Sequence, residues 1–174
     1  MTCKDKNKPD VQQARAKISK CLNHNYYYHG REWSYKNVLP RIIAESFMTD
    51  SEKNGLTDYK FYCFNGKVRY LYVSSGMENH KTAKIGFLIP KWEFVPFRRT
   101  DYKMLEKSPE KPALYLEMLE IAGKLSKEMK FARVDLYKIN HHVYFLKFTL
   151  HPCSGFMPFS PREWDIILEN LLQL

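Results

Sequence analysis

The chain has 174 residues, 28 Lys+Arg against 19 Asp+Glu, and a formal net charge of +9. Its length suits one domain of about 100–200 residues, and a composition 44% hydrophobic and 15% aromatic supplies enough apolar surface for a packed core, which excludes disorder as the main description. No apolar run reaches the roughly 18–20 residues of a membrane span, and the opening MTCKDKNKPD lacks a secretory signal's apolar stretch, so a cytoplasmic protein without a membrane span is expected.

Residues 10–23 place Val11, Ala14, Ile18, Cys21 and Leu22 at three- and four-residue steps behind Asp10, a spacing that predicts a short amphipathic helix capped by that aspartate. The stretch NYYYHGREWSYKNVLP reads as an ordered but irregular connection. It leads to RIIAESFM (41–48), a strand candidate in which Glu45 is the one carboxylate among mostly apolar residues.

YKFYCF-NG-KVRYLYV is the clearest hairpin, with Asn65-Gly66 as a two-residue type I′ turn. Pairing Phe64 with Lys67 then puts Phe61, Cys63, Val68 and Tyr70 on a core face, with Lys60, Tyr62, Phe64, Lys67, Arg69 and Leu71 on a basic, aromatic face. Residues 74–111 read as largely irregular, broken by Pro90 and Pro96. A helix is predicted from about 112 to 129, with Leu114, Met118, Ile121, Ala122 and Leu125 on one side.

A second hairpin joins FARVDLYK to VYFLKFTL through Asn140-His141-His142. A three-residue loop sets Asp135 opposite Lys147, Val134 opposite Phe148 and Leu136 opposite Leu146, which leaves Arg133, Asp135, Tyr137, Lys147 and Thr149 together on the polar face. The last helix opens with Ser160-Pro161-Arg162-Glu163, a capping-box pattern, and buries Trp164, Ile167, Leu168, Leu171 and Leu172. Hairpins with packed helices and no internal repeat predict an α+β protein with a largely antiparallel sheet.

Cys3, Cys21, Cys63 and Cys153 are far apart, with no CxxC pair, so free thiols are expected rather than a zinc site or a disulfide framework. The polar face carrying Arg133 and Asp135, beside Lys60 and Arg69, suits a phosphorylated ligand: cations oppose phosphate, and a carboxylate can hold magnesium. The same residues also describe a solvated face whose ion pairs are each worth at most about 1 kcal/mol. Loop 151–156 offers backbone N–H groups to an anion, though with a single glycine. A sheet-based nucleic-acid binder stacking bases on Tyr62 and Phe64 is a further alternative, but NGKVRYLYV lacks the glycine–aromatic core of the RNA-recognition pattern.

Several strings, taken together and in order, resemble the TupA-like ATP-grasp proteins associated with teichuronopeptide, capsular and other cell-surface polysaccharide biosynthesis. They are NYYYHGREWSYKNVLPRIIAESF (25–47), GLTDYKFYCFNGKV (55–68), NHK (79–81), FARVDLY (131–137), VYFLKFTLHPCSGF (143–156) and FSPREWD (159–165). The resemblance implies subdomains that clasp ATP between antiparallel sheets, with magnesium as the metal and acyl-phosphate ligase or transferase chemistry. Glu45 would lie on a hinge strand bordering the nucleotide, Lys60 would face its phosphates, and Asp135 would be a magnesium ligand. Arg133, Ser154 and Gly155 would approach phosphate or acceptor, a glycan or its precursor.

Three departures accompany the match. Lys147 stands where the family's GELTFYPGSG-like strand has its second metal carboxylate, so its ammonium is expected to pair with Asp135 and repel magnesium. Cys153 replaces a glycine, which is expected to change the loop's shape if that position needs a positive φ. The family's Gly-rich phosphate loop and nucleotide-binding lysine would lie before Met1. The expectation is therefore residues 1–174 as a partial ATP-grasp domain, the hinge strand and C-terminal lobe without the N-terminal lobe, truncated and catalytically impaired. A separate chain supplying the missing lobe would be its partner, and a non-catalytic nucleotide-binding or interaction module is the alternative.

Overall fold

A computed structural model describes Asn7 and residues 10–50, 56–75 and 81–172. Cys3, Gly55, Asn79 and His80, used in the sequence reading, lie outside the described residues. The chain divides into two compact units, one of residues 1–48 with 153–155 and the other of residues 49–152 with 156–174.

In the first unit, α1 (Val11–Leu22) begins where expected: Asp10 Oδ1 accepts a hydrogen bond from the Gln13 amide at 2.8 Å. Its apolar stripe is only half realised, because Ala14 and Ile18 are half-buried while Val11, Cys21 and Leu22 are exposed. The irregular connection contains α2 (Tyr27–Gly30) and a 3-10 turn over Trp33–Tyr35. Residues 41–48 form no strand, contrary to their β-branched composition. Among the described residues they pair with no strand, and Ile43 is 82% exposed.

Eight strands make up the second unit's sheets: β1 (Asp58–Phe64), β2 (Lys67–Ser75), β3 (Lys84–Leu88), β4 (Arg98–Arg99), β5 (Lys103–Met104), β6 (Phe131–Ile139), β7 (His142–Thr149) and β8 (Phe159–Ser160). Six of them form one sheet, ordered β5-β3-β2-β1-β6-β7, in which only the short β3–β5 pair is parallel; β4 and β8 pair separately. Helix α3 (Tyr115–Ser126) lies between β5 and β6 in the chain, and α4 (Glu163–Glu169) follows β8. The fold is α+β with a mostly antiparallel sheet, as the element pattern predicts.

Asn65 and Gly66, at φ 50° and 73°, form the expected I′-compatible turn, and Phe64 pairs with Lys67. A bulge then shifts the register: Tyr62 pairs with Tyr70 and Cys63 with Val68. This exchanges the predicted faces of Tyr70 and Leu71 and turns Arg69 to solvent, away from Lys60. Residues 74–111 also contain a central strand that was read as irregular. In β3, Gly86 is required by close packing, since a Cβ there would lie 2.7 Å from the Phe94 ring.

Both faces of the six-stranded sheet are covered. On one, Tyr59, Phe61, Leu71, Val73, Val134 and Leu136 pack on Tyr115, Met118 and Ala122 of α3. The buried stripe of α3 runs through Tyr115, Met118, Ala122 and Ser126, with Leu125 exposed. On the other face, Tyr62, Phe64, Tyr72, Ile85 and Phe87 pack with Phe97 and Met157, against Trp164 and Leu168 of α4 and the following Leu171 and Leu172. Ile167 points out. Ser160 does not cap α4: it pairs with Arg98 in the small sheet, and the helix begins after Arg162 with no side-chain cap.

Candidate functional site

The predicted pairing of β6 with β7 brings Asp135 opposite Lys147 and Val134 opposite Phe148, as the structure has it. Two differences cancel to give that result. The turn contains two residues, Asn140 and His141, and a bulge absorbs one residue farther along, so that Leu136 faces Phe145 rather than Leu146.

On the other side of β6, Asp135 faces Lys60 of β1. Side chains two apart on a strand share a face, so Asp58, Lys60, Arg133 and Asp135 form a four-charge group across two strands. The four charges border the aromatic cluster of the same face: Arg133 pairs across with Tyr62, and Lys60 with Tyr72. Three of the four are buried, Asp135 at 1% exposed, Lys60 at 6% and Arg133 at 8%, and Asp58 is half-buried.

Each carboxylate is neutralised by a cation two residues away on its own strand. Arg133 donates from Nε and Nη2 to the two oxygens of Asp135, both at 2.7 Å, in a bidentate pair, and its Nη2 also donates to Thr149 Oγ1 at 2.8 Å. It is thus Arg133, and not Lys147 as expected, that holds Asp135; Lys147 is exposed. Lys60 Nζ lies 2.6 Å from Asp58 Oδ2, and Ser74 Oγ donates to the same oxygen at 3.3 Å. The lysine contact falls outside hydrogen-bond geometry, which leaves Lys60 Nζ and Asp58 Oδ1 as buried polar atoms without a hydrogen-bond partner. The Tyr72 ring lies beneath both cations, its centroid 5.3 Å from Lys60 Nζ and 5.8 Å from Arg133 Cζ.

Burial pulls the Lys60 ammonium below its ordinary pKa, with the Asp58 carboxylate opposing the shift. Burial is the largest influence on Arg133 and acts the same way, but the hydrogen bonds and charge of Asp135, together with Tyr72 and Tyr62, jointly outweigh it and raise its pKa. Tyr72 is pushed up to about 12 by burial.

The other sequence-chosen residues belong to the first unit. Glu45 is exposed and lies in no strand. Ser154 Oγ donates to Glu32 Oε1 at 2.9 Å, and a Cβ on Gly30 would meet Ser154 Oγ at 2.3 Å, so Gly30 makes room for that contact. Cys153, Ser154 and Gly155 have φ of 50°, 54° and 85°. The cysteine did not turn the loop away from positive φ: Cys153 adopts the left-handed conformation itself. A groove of about 650 Å³ in this unit, lined by Cys21, His24, Tyr26, Tyr35 and part of 37–43, contains none of the predicted site residues.

Asp58, Ser74 and Tyr72 were missed in the sequence. Asp58 had a readable signal in its place two residues before Lys60, whereas Ser74 and Tyr72 depend on the bulged register of β1 and β2.

A mixed α+β unit with a mostly antiparallel sheet and a buried polar cluster on one face fits an ATP-grasp type of protein. A sequence profile of TupA-like ATP-grasp proteins matches residues 1–173, and the chain belongs to that family. No curated protein and no solved structure matches.

ATP-grasp proteins bind nucleotide and generally use ATP with magnesium. Magnesium requires oxygen ligands at about 2.0–2.1 Å in octahedral array. Both oxygens of Asp135 are taken by Arg133, and Asp58 keeps a single uncommitted oxygen beside an ammonium. Among the described residues no group of three or more His, Cys, Asp and Glu is placed to hold a metal. As they stand, the two carboxylates of this cluster, Asp58 and Asp135, do not fit a divalent cation. Among the described residues no helix is long and apolar enough to cross a membrane.

Proposed function

We propose that this chain is a nucleotide-binding ATP-grasp protein of cell-surface polysaccharide biosynthesis, cytoplasmic and impaired in ligase or transferase turnover. The observation that carries the nucleotide part is the placing of Lys60, Arg133 and Lys147 on three adjoining strands in one region of the sheet face, where cations suit a polyphosphate. Lys60 would meet the phosphates. Arg133 would orient phosphate or the carboxylate of an acceptor, a glycan or its precursor. The polysaccharide assignment is supported by the family alone.

Impairment is the reading favoured by the two committed carboxylates: transition-state charge on a transferring phosphoryl group is normally met by preorganised cations and metal, and here Asp135 is not free to bring one. Asp135 would then serve as the counter-ion of Arg133. Calorimetric titration with ATP, followed by an ADP-release assay with polysaccharide precursors and cell extract, tests the proposal. Binding without turnover by the purified chain is expected. Turnover by this chain alone would refute the impairment, and absence of any ATP binding would refute the nucleotide assignment. Release of ADP only when extract is added would point to a second polypeptide completing the site.

A further inference from the structure

We infer that this site takes its phosphate ligand without a divalent cation, because the positive charge there is built into the chain. The inference rests on the nucleotide-binding reading above and narrows it to a metal-independent mode.

Asp135 is flanked by a lysine on each neighbouring strand, Lys60 on β1 and Lys147 on β7, and by Arg133 on its own. Three cations therefore face two carboxylates, and counted as charged groups they leave a surplus of one positive charge. A dication entering this region meets net repulsion, while a polyanion meets attraction.

The geometry closes the remaining route. Lys60 is two residues from Asp58 and directly across from Asp135, so a metal bridging the two carboxylates would have to occupy the ammonium's place. Recruiting Asp135 alone would break two charge-assisted bonds of 2.7 Å and strand a buried guanidinium. Lys147 is exposed and cross-strand from the one carboxylate in question, free to meet a phosphate from solvent without dismantling the buried pairs. The division of labour is then clear: Arg133 with Asp135 fixes the floor of the site, and Lys147 supplies the outward charge that a bound metal would otherwise bring.

Two titrations test this. Manganese(II) binding followed by electron paramagnetic resonance reads the metal directly, and calorimetry with ATP compares excess EDTA with excess magnesium. Expected are no specific manganese signal, an ATP affinity in EDTA at least equal to that in magnesium, because the uncomplexed ligand is the more anionic, and a loss of about tenfold in EDTA for Lys147→Ala. Lys147→Glu should lower affinity in EDTA and recover part of it with magnesium. Because Lys147 is exposed, these variants keep the fold, which a melting curve verifies. Manganese bound by the parent chain and lost in Asp135→Asn, or an ATP affinity rising about tenfold or more with magnesium, would overturn the inference. If ATP binds in neither buffer, the nucleotide reading falls and takes the phosphate half of this inference with it, while the manganese titration still decides the metal half.

Discussion

Two adjoining regions of one sheet face solve burial in opposite ways. In the region beneath α4, Tyr62, Phe64, Phe87 and Phe97 interlock through ring contacts, such as the 4.7 Å centroid separation of Phe87 and Phe97. In the other region Lys60, Arg133 and Asp135 are buried and Asp58 is half-buried, and the four charges cancel in pairs. Aromatic packing gains from every atom removed from water. A buried ion pair recovers its desolvation only while both members are present, so its members are individually indispensable yet jointly replaceable. Low exposure on its own therefore does not say how a residue contributes.

The largest effects should come from single truncations in either region. Arg133→Met leaves Asp135 uncompensated and should lower unfolding stability by about 3–5 kcal/mol; Phe87→Ala should cost about the same through a cavity. Both are read from urea denaturation. The regions separate in the double variants. Arg133→Met with Asp135→Leu should return to within about 1 kcal/mol of the parent, whereas Phe87→Ala with Phe97→Ala should be worse than either alone. If the charged double variant stays as unstable as Arg133→Met, the pair is not the self-cancelling element described here.

Alkaline pH acts with opposite sign on Lys60 and on the Tyr72 ring beneath it. The Lys60 pKa is lowered from 10.5 by burial, with Asp58 opposing, so the unfolded chain binds the extra proton. Its contribution to stability is complete above 10.5 and declines as pH falls through the lowered folded value. Tyr72 is raised by burial from 10.0 to about 12. Its contribution is complete below 10 and is lost as pH rises toward 12. Stability followed by denaturation across this range should therefore rise and then fall. Tyr72→Phe should make the fall shallower and leave the rise in place; an unchanged fall would remove Tyr72 from the account.

The smallest effect lies in the first unit, where a short polar loop replaces either kind of packing. Cys153→Gly removes a left-handed non-glycine residue at φ 50° and should stabilise by about 1 kcal/mol, measured as a rise in melting temperature. A fall would mean that the cysteine's packing outweighs its backbone strain.

Where local chemistry decides the geometry, the sequence was readable. The Asn65-Gly66 turn, the Asp10 cap and the shared face of Arg133 and Asp135 needed only turn preference, capping and side-chain alternation. Features that depend on distant neighbours were not readable. Bulges after Tyr62 and Asp135 answer to packing across the sheet, and in the second hairpin one of them offset a misjudged turn. Residues 41–48 have strand chemistry but pair with no strand among the described residues, and Ser160 has cap chemistry but is used by a ladder. The site followed the same division: alternation placed Lys147 across from Asp135, but only the three-dimensional arrangement assigns the carboxylate to Arg133.

The position of β7 at the end of the strand order has a consequence for how copies of the protein meet. Among the described residues its outer backbone groups pair with no further strand of that sheet, and Tyr144 and Phe145 on the same strand are exposed, at 43% and 48%. Such a border invites another chain to add on and extend the sheet into an aggregate. The bulge at Leu146 interrupts the regular repeat a newcomer would need, and Lys147 next to it adds a charge that stacked copies would have to bring close together. Lys147 is thus placed to oppose such stacking, and exchanging it for an apolar residue should lower solubility as well as the proposed ligand binding.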